Sequence, residues 1–256
     1  MKRPQALLLV CSVLLSLAAH AEKITVAAAA DLKFAMDEIV TTFRLANPGA
    51  EVDVVYGSSG KFHTQIQQGA PYDLYFSADI GFPRALAIKG FAASKVKPYA
   101  VGRIVLWSAN LDASKMTLAS LTDPKITRIA IANPKHAPYG KRAEEALRAS
   151  GLWEKVEPKL VYGENIAHTA QFVQTGNAQV GVIALALAVN PELSRKGGYW
   201  LIPDQLHQPL EQGFIITRRA AGSALARRLA DYMNTKVARA VMNRHGFMLP
   251  AEVDRK

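Results

Sequence analysis

At 256 residues the chain is long enough for a hydrophobic core that stands without cross-links, and its single cysteine, Cys11, excludes an intramolecular disulfide. The 31 Lys and Arg against 21 Asp and Glu give a formal charge of +10. These basic residues are scattered, without runs or interleaved aromatics, which argues against nucleic acid and leaves a solvated basic surface with mild attraction for anions.

The chain opens on Met1, Lys2 and Arg3, continues with an apolar run from Ala6 to Ala18, and then shows the small-x-small pattern Ala19, His20, Ala21. This predicts a cleaved signal peptide over 1–21 and a mature start at Glu22. The apolar run is shorter than the roughly 20 residues of a membrane-spanning helix. Val10 ahead of Cys11 is larger than a lipid-anchoring site wants. Export also argues against a nucleic-acid partner.

After the leader, short β-rich runs alternate with helix-period segments. Ile24–Val26 leads through four alanines and Asp31 into a helix whose apolar positions Leu32, Ala35, Met36, Ile39, Val40 and Phe43 share one face. Val52–Tyr56 is the next strand, followed by Gly57, Ser58, Ser59 and Gly60 and a helix carrying Phe62 and Ile66. A strand over Asp73–Ser77 precedes a helix headed by Asp79 and stopped at Gly90. Ile104–Trp107 and Arg128–Ala132 read as strands of a second region. Tyr139 and Gly140 open a helix that closes at Gly151; Leu160 and Val161 lead through Glu164 and Asn165 to another that closes at Gly176. Val180–Ala184, Tyr199–Ile202 and Gly213–Thr217 are strand-like, and two helices flank Thr235.

Such alternation predicts an α/β fold with parallel, doubly wound sheets covered on both faces. In these sheets a ligand sits beyond the carboxyl ends of the strands, where the next helix begins. Four such turns stand out: Ala29-Ala30-Asp31, Gly57 to Gly60, Ala137 to Gly140, and Glu164-Asn165-Ile166. A helix start carries unpaired N–H groups and about half a positive charge, small residues let the backbone approach a ligand, and serine adds a rotatable donor. Several converging starts would bind a dianion without a cationic side chain. Taken singly, Asp31, Ser59 and Asn165 read as ordinary helix caps.

The turns and their order resemble the periplasmic molybdate-binding proteins of ABC uptake systems. The resemblance covers essentially the whole mature chain, in ITVAAAADL, YGSSGKF, GAPYDLYFSAD, ANPKHAPYGKRAEEAL, GENI and RHGF. It implies a two-lobed periplasmic-binding-protein fold of type II, with one lobe of about 22–100 plus 211–256 and the other of 101–210. It implies a small oxyanion, molybdate or tungstate, held between the lobes as cargo, with no cofactor, no direct metal ligand and no catalysis. Its partner is the membrane permease of an ABC transporter, and a monomer is expected. Carried over by position, the binding residues are Ala30, Asp31, Ser58, Ser59, Tyr139, Ile166 and Ala184, with Tyr139 and Ile166 presenting backbone N–H groups. The chain departs from the family pattern at Asp31, where many members have serine, and at Ala184, where some have tyrosine.

Asp31 is the sharpest difficulty. A carboxylate about 5 Å from a dianion, at an effective dielectric of about 20, is repelled by roughly 7 kcal/mol, close to the whole of micromolar binding. The sequence reading is that its side chain turns back to cap its own helix, leaving main-chain donors for the ligand, while Lys33 and Lys61 face solvent. Three other readings compete. The ligand could be sulfate, phosphate or a small organic anion, or the chain could serve a receptor as a sensing domain. A hydrolase would need a base for serine; His63, four residues beyond Ser59, has no evident third group, and GSSG is not the hydrolase elbow. No histidine pair has metal-ligand spacing, and no nucleotide-binding motif occurs.

Overall fold

The computed structural model describes residues 22–250; the expected signal peptide lies outside them. In chain order the elements are β1 (Lys23–Ala29), a 3-10 turn (Ala30–Leu32), α1 (Lys33–Ala46), β2 (Glu51–Gly57), α2 (Ser59–Gln67), β3 (Leu74–Ser77), α3 (Gly81–Ile88), β4 (Lys97–Gly102), β5 (Ile104–Trp107), β6 (Ile129–Ala132), α4 (Pro138–Ala149), α5 (Trp153–Val156), β7 (Leu160–Gly163), α6 (Ile166–Gln174), β8 (Val180–Ala184), α7 (Leu185–Ala188), α8 (Pro191–Ser194), β9 (Tyr199–Leu201), β10 (Leu210–Ile216), α9 (Ala224–Tyr232) and α10 (Lys236–Arg244). No helix among the described residues is long and apolar enough to cross a membrane.

The strands form two five-stranded sheets, ordered β2-β1-β3-β10-β4 and β7-β6-β8-β5-β9. The chain passes from the first sheet to the second between Gly102 and Ile104 and returns after Leu201. Three strands of each sheet are parallel, as the alternation predicts: β2, β1 and β3 in the first, and β7, β6 and β8 in the second. Each sheet also carries antiparallel strands. β10 runs antiparallel to β3 and β4, and β5 runs antiparallel to β8 and β9. The strands leaving and re-entering each sheet at the two passages account for the reversed directions.

Both faces of the first sheet are covered, so its strands are buried on both sides. Val26, Ala28, Leu74, Phe76 and Phe214 pack with Met36, Ile39 and Phe43 of α1 and with Leu229 and Val241 of α9 and α10. Ala27, Tyr75 and Ile215, one residue out of phase, pack with Phe62, Ile66 and Leu86 of α2 and α3. The second sheet centres on Trp107, Ile129, Ile131, Val182 and Ile183. Asp73 ties the first sheet together: its Oδ2 accepts the Thr25 N–H at 2.7 Å and its Oδ1 accepts from Arg219 at 3.2 Å.

Phe76 and Phe214 stack across the β3–β10 pair with centroids 4.6 Å apart, and Tyr99 of β4 meets Phe76 edge-on at 5.5 Å. Phe214→Ala empties the centre of this cluster and is expected to cost about 3–5 kcal/mol, read as a lowered urea midpoint.

Candidate functional site

The four strand-to-helix turns meet. Ala29, Ala30 and Asp31 after β1, Gly57, Ser58 and Ser59 after β2, Ala137, Pro138 and Tyr139 at the head of α4, and Asn165 and Ile166 at the head of α6 line one cavity, with Ala78 closing it after β3. The first two groups and Ala78 belong to the first sheet, the others to the second. The cavity has room for only about 10 Å³, far below the usual range of about 300–1,000 Å³ for organic ligands. No Lys or Arg lines it. Among the described residues no group of three or more His, Cys, Asp or Glu could hold a metal ion.

Donors converge here because of where the helices start. Ser59 is the first residue of α2, Tyr139 the second of α4, and Ile166 the first of α6, so none of their N–H groups has a carbonyl behind it in the helix. Asn165 caps α6 by accepting the His168 N–H at 2.9 Å, which leaves the Ile166 N–H at the cavity wall. Ser59 is fixed twice: its carbonyl accepts from the Tyr75 hydroxyl at 2.7 Å, and its Oγ accepts the Ala78 N–H at 3.0 Å. Its hydroxyl hydrogen remains to donate. Ser58, the N-cap of α2, makes no side-chain cap bond. Its hydroxyl instead donates to the His136 carbonyl at 2.5 Å. Ala184 is fully buried at the end of β8, opposite Ile104, and does not line the cavity.

Contacts between the two sheets' elements surround the cavity. The His136 carbonyl accepts from Gly60 N as well as from Ser58, the former at 2.9 Å. A Cβ on Gly60 would lie 2.6 Å from that oxygen, so only glycine permits the approach. Lys61 pairs with Glu164 at 2.9 Å and Lys33 with Asp37 at 3.1 Å, both solvent-exposed, so neither lysine reaches Asp31. His63 bonds Gln67 and is no base for Ser59. Ser58 Oγ does lie 3.0 Å from His136 Nδ1, but its proton goes to the His136 carbonyl and no carboxylate bonds the imidazole among the described residues. Burial and nearby Lys61 hold that imidazole below its ordinary range.

Asp31 behaves differently from the sequence reading. The 3-10 turn that contains it has no side-chain cap bond. Its Oδ2 accepts from the Tyr139 hydroxyl at 2.9 Å and from Gln212 Nε2 at 2.8 Å, and Gln212 also donates to the Tyr139 oxygen at 3.1 Å. Tyr139 therefore contributes through its side chain as well as its backbone, and Gln212, fully buried in β10, is a site residue that sequence reasoning missed. The available signal was weak, since Gln212 follows the charged Glu211 at the polar start of β10. Asp31 is 1% exposed, and its Oδ1 has no hydrogen-bond partner. Burial pushes its pKa from 3.8 up to about 6, opposed by the bonds from Gln212 and Tyr139 and by the nearby N–H groups of Asp31 and Leu32.

That shift has a stability consequence. Between pH 3.8 and about 6 the folded protein holds a proton on Asp31 that the unfolded chain has lost, so this contribution to stability is full below pH 3.8 and disappears as pH rises through 6. At about 1.4 kcal/mol per pH unit the loss amounts to about 3 kcal/mol. Asp31→Asn is expected to raise unfolding free energy at pH 7 by up to this amount, with the gain fading below about pH 4 in denaturant titrations.

Comparisons with known proteins agree with this geometry. The family model for bacterial extracellular solute-binding proteins matches residues 24–248. The molybdate-binding protein of Rhodobacter capsulatus is 34% identical over 235 residues, covering 91% of each chain. That of Azotobacter vinelandii is 35% identical over 237 residues, covering 92% of this chain and 94% of the other. The solved Azotobacter vinelandii periplasmic molybdate-binding protein superposes with a TM-score of 0.84 at 30% identity, over 89% of this chain and all of that one. The two-sheet architecture is thus the type II periplasmic-binding-protein fold, and the chain belongs to the bacterial extracellular solute-binding proteins and, within them, to the molybdate-binding family.

Proposed function

We propose that this protein captures molybdate, and tungstate with it, in the periplasm and delivers it to an ABC transporter. The observation that carries this reading is the convergence of four helix starts, from both sheets, on a small cavity that no cationic side chain lines. Partial positive charge from neutral N–H dipoles suits a doubly charged tetrahedral ion, and the cavity is too small for most organic anions. The protein is a transport component and not an enzyme, and the oxyanion is cargo rather than a cofactor.

Proteins of this family work with the membrane permease and ATPase of an ABC transporter. The finer reading is that a monomer closes on its ion and presents the closed face to the permease. Ser59 donates its hydroxyl hydrogen and backbone N–H, Tyr139 and Ile166 donate N–H groups, and Ala30 and Asp31 shape the floor. Ser58 acts beside the ion, by holding His136. Ala184 is at most an indirect contributor, supporting α7 behind the wall. We place the lobe boundaries at about 100 and 210, which sheet membership supports. The anion bridges donors from both lobes and shifts the population towards the closed form.

Two measurements test this. In a thermal-shift series, ligand at 100 times its Kd adds about 2.7 kcal/mol, or several degrees for a chain of this size. Molybdate and tungstate are expected to raise the midpoint, and sulfate and phosphate at equal concentration are not; a shift with sulfate alone would reassign the ligand. Gly60→Ala supplies the second. Its Cβ obstructs the His136 carbonyl in the closed form, and molybdate affinity should fall at least tenfold, about 1.4 kcal/mol.

A further inference from the structure

Asp31 places an acidic group against a cavity that would hold an anion, and no Lys or Arg lines that cavity to cancel it. We propose that Asp31 enters the occupied site as a neutral carboxylic acid whose Oδ1 hydroxyl donates a hydrogen bond to an oxyanion oxygen, so that capture of each anion takes up one proton from solvent. This inference rests on the oxyanion reading above and adds to it a proton linkage and a direct donor role for a residue that would otherwise repel the ligand.

The geometry divides the two carboxyl oxygens between two tasks. Oδ2 already accepts from Tyr139 and Gln212. Oδ1 is buried without a partner, in a residue that is 1% exposed and lines the cavity. A carboxylate can only accept, whereas a carboxylic acid accepts on one oxygen and donates from the other. Placing the proton on Oδ1 keeps both existing bonds and gives the orphaned oxygen a partner when the anion arrives. The proton comes from water, moves onto Oδ1 as the ion enters, and returns to solvent on release; no other bond is made or broken. Burial already lifts this carboxyl to about pH 6, and a dianion alongside disfavours its charged form further.

The groups around Asp31 leave it to carry the change. Tyr139 of α4 and Tyr99 of β4 both feel its charge, and burial keeps both phenols neutral. On the elements packed against its turn, Tyr56 of β2 donates to Asp37 and Lys33 of α1 pairs with Asp37. His168 of α6 accepts the Glu164 N–H on Nδ1, and α7 carries no titratable side chain. At the cavity's rim stand His136, next to Ser58, and the Lys61–Glu164 pair. His136 and His168 are the histidines beside the site, and the test must separate them from Asp31.

Isothermal titration with sodium molybdate, from pH 5.5 to 8.5 and in two buffers of different ionisation enthalpy, does so. The wild-type Kd is expected to rise about tenfold per pH unit above pH 6.5, with one proton taken up per anion bound. Asp31→Ser, which offers a permanent hydroxyl, should show a Kd that changes less than threefold over the same range and no proton uptake. A flat wild-type Kd with no buffer-dependent heat overturns the inference while leaving molybdate capture intact. A steep dependence that survives in Asp31→Ser assigns the proton to a histidine and also overturns it. If Asp31→Ser does not fold, checked by its free-protein melting curve, Asp31→Asn, whose amide is a permanent donor, takes its place with the same two outcomes. Absence of molybdate and tungstate binding by the wild type at every pH removes the capture reading and this inference together.

Discussion

An ion that carries two negative charges leaves water only for a place that replaces its hydration, and the helix starts around this cavity offer peptide dipoles for that. Each dipole source is a helix start, and each helix start is aimed by the strand before it. Ser59 points into the cavity because α2 follows β2, and Ile166 because α6 follows β7 with Asn165 holding the turn. The two sheets are the frame that brings these starts face to face. A core buried on both sides of the first sheet makes that frame stiff enough to hold donors where no mobile cation could settle them.

Closing such a site requires the two halves to recognise each other as well as the ion. The His136 carbonyl, gripped by Ser58 and Gly60, and the Asp31 carboxyl, gripped by Tyr139 and Gln212, do this on neighbouring walls. The first grip is a neutral clasp with full hydrogen-bond satisfaction. The second leaves Asp31 Oδ1 and Gln212 Oε1 unpartnered, and buried polar atoms without partners are costly. The unmet hydrogen bonds are thereby concentrated on two adjoining side chains, of which Asp31 lines the cavity.

Much of this was legible in the sequence, for local reasons. The period of Ala35, Met36, Ile39, Val40 and Phe43 fixed α1 and its buried face, and the glycine stop at Gly151 takes a left-handed φ of 65°. Turn chemistry located all four walls of the cavity. What escaped was non-local or atypical. β4 contains Pro98 and Gly102, which argue against a strand unless it lies at a sheet edge, and an edge position is a property of the whole fold. The reversed directions of β5 and β10 likewise depend on how the chain passes between sheets. Asp31 was read as a cap because capping is what a sequence neighbour can offer; its real partners lie 108 and 181 positions away. Ala184, carried over by position, is buried at the end of β8 and is not among the residues that line the cavity.

The threading of the chain has a practical corollary. β1 and α10, the first and last elements, both pack on the first sheet, and the second sheet is looped out between two short passages. Fluorophores placed on β1 and on α10 would ride on one body and stay blind to any hinge motion. A reporter of domain movement has to be written into the interior of the polypeptide, with one label on each side of the cleft, for instance at the Lys61 and Glu164 rim.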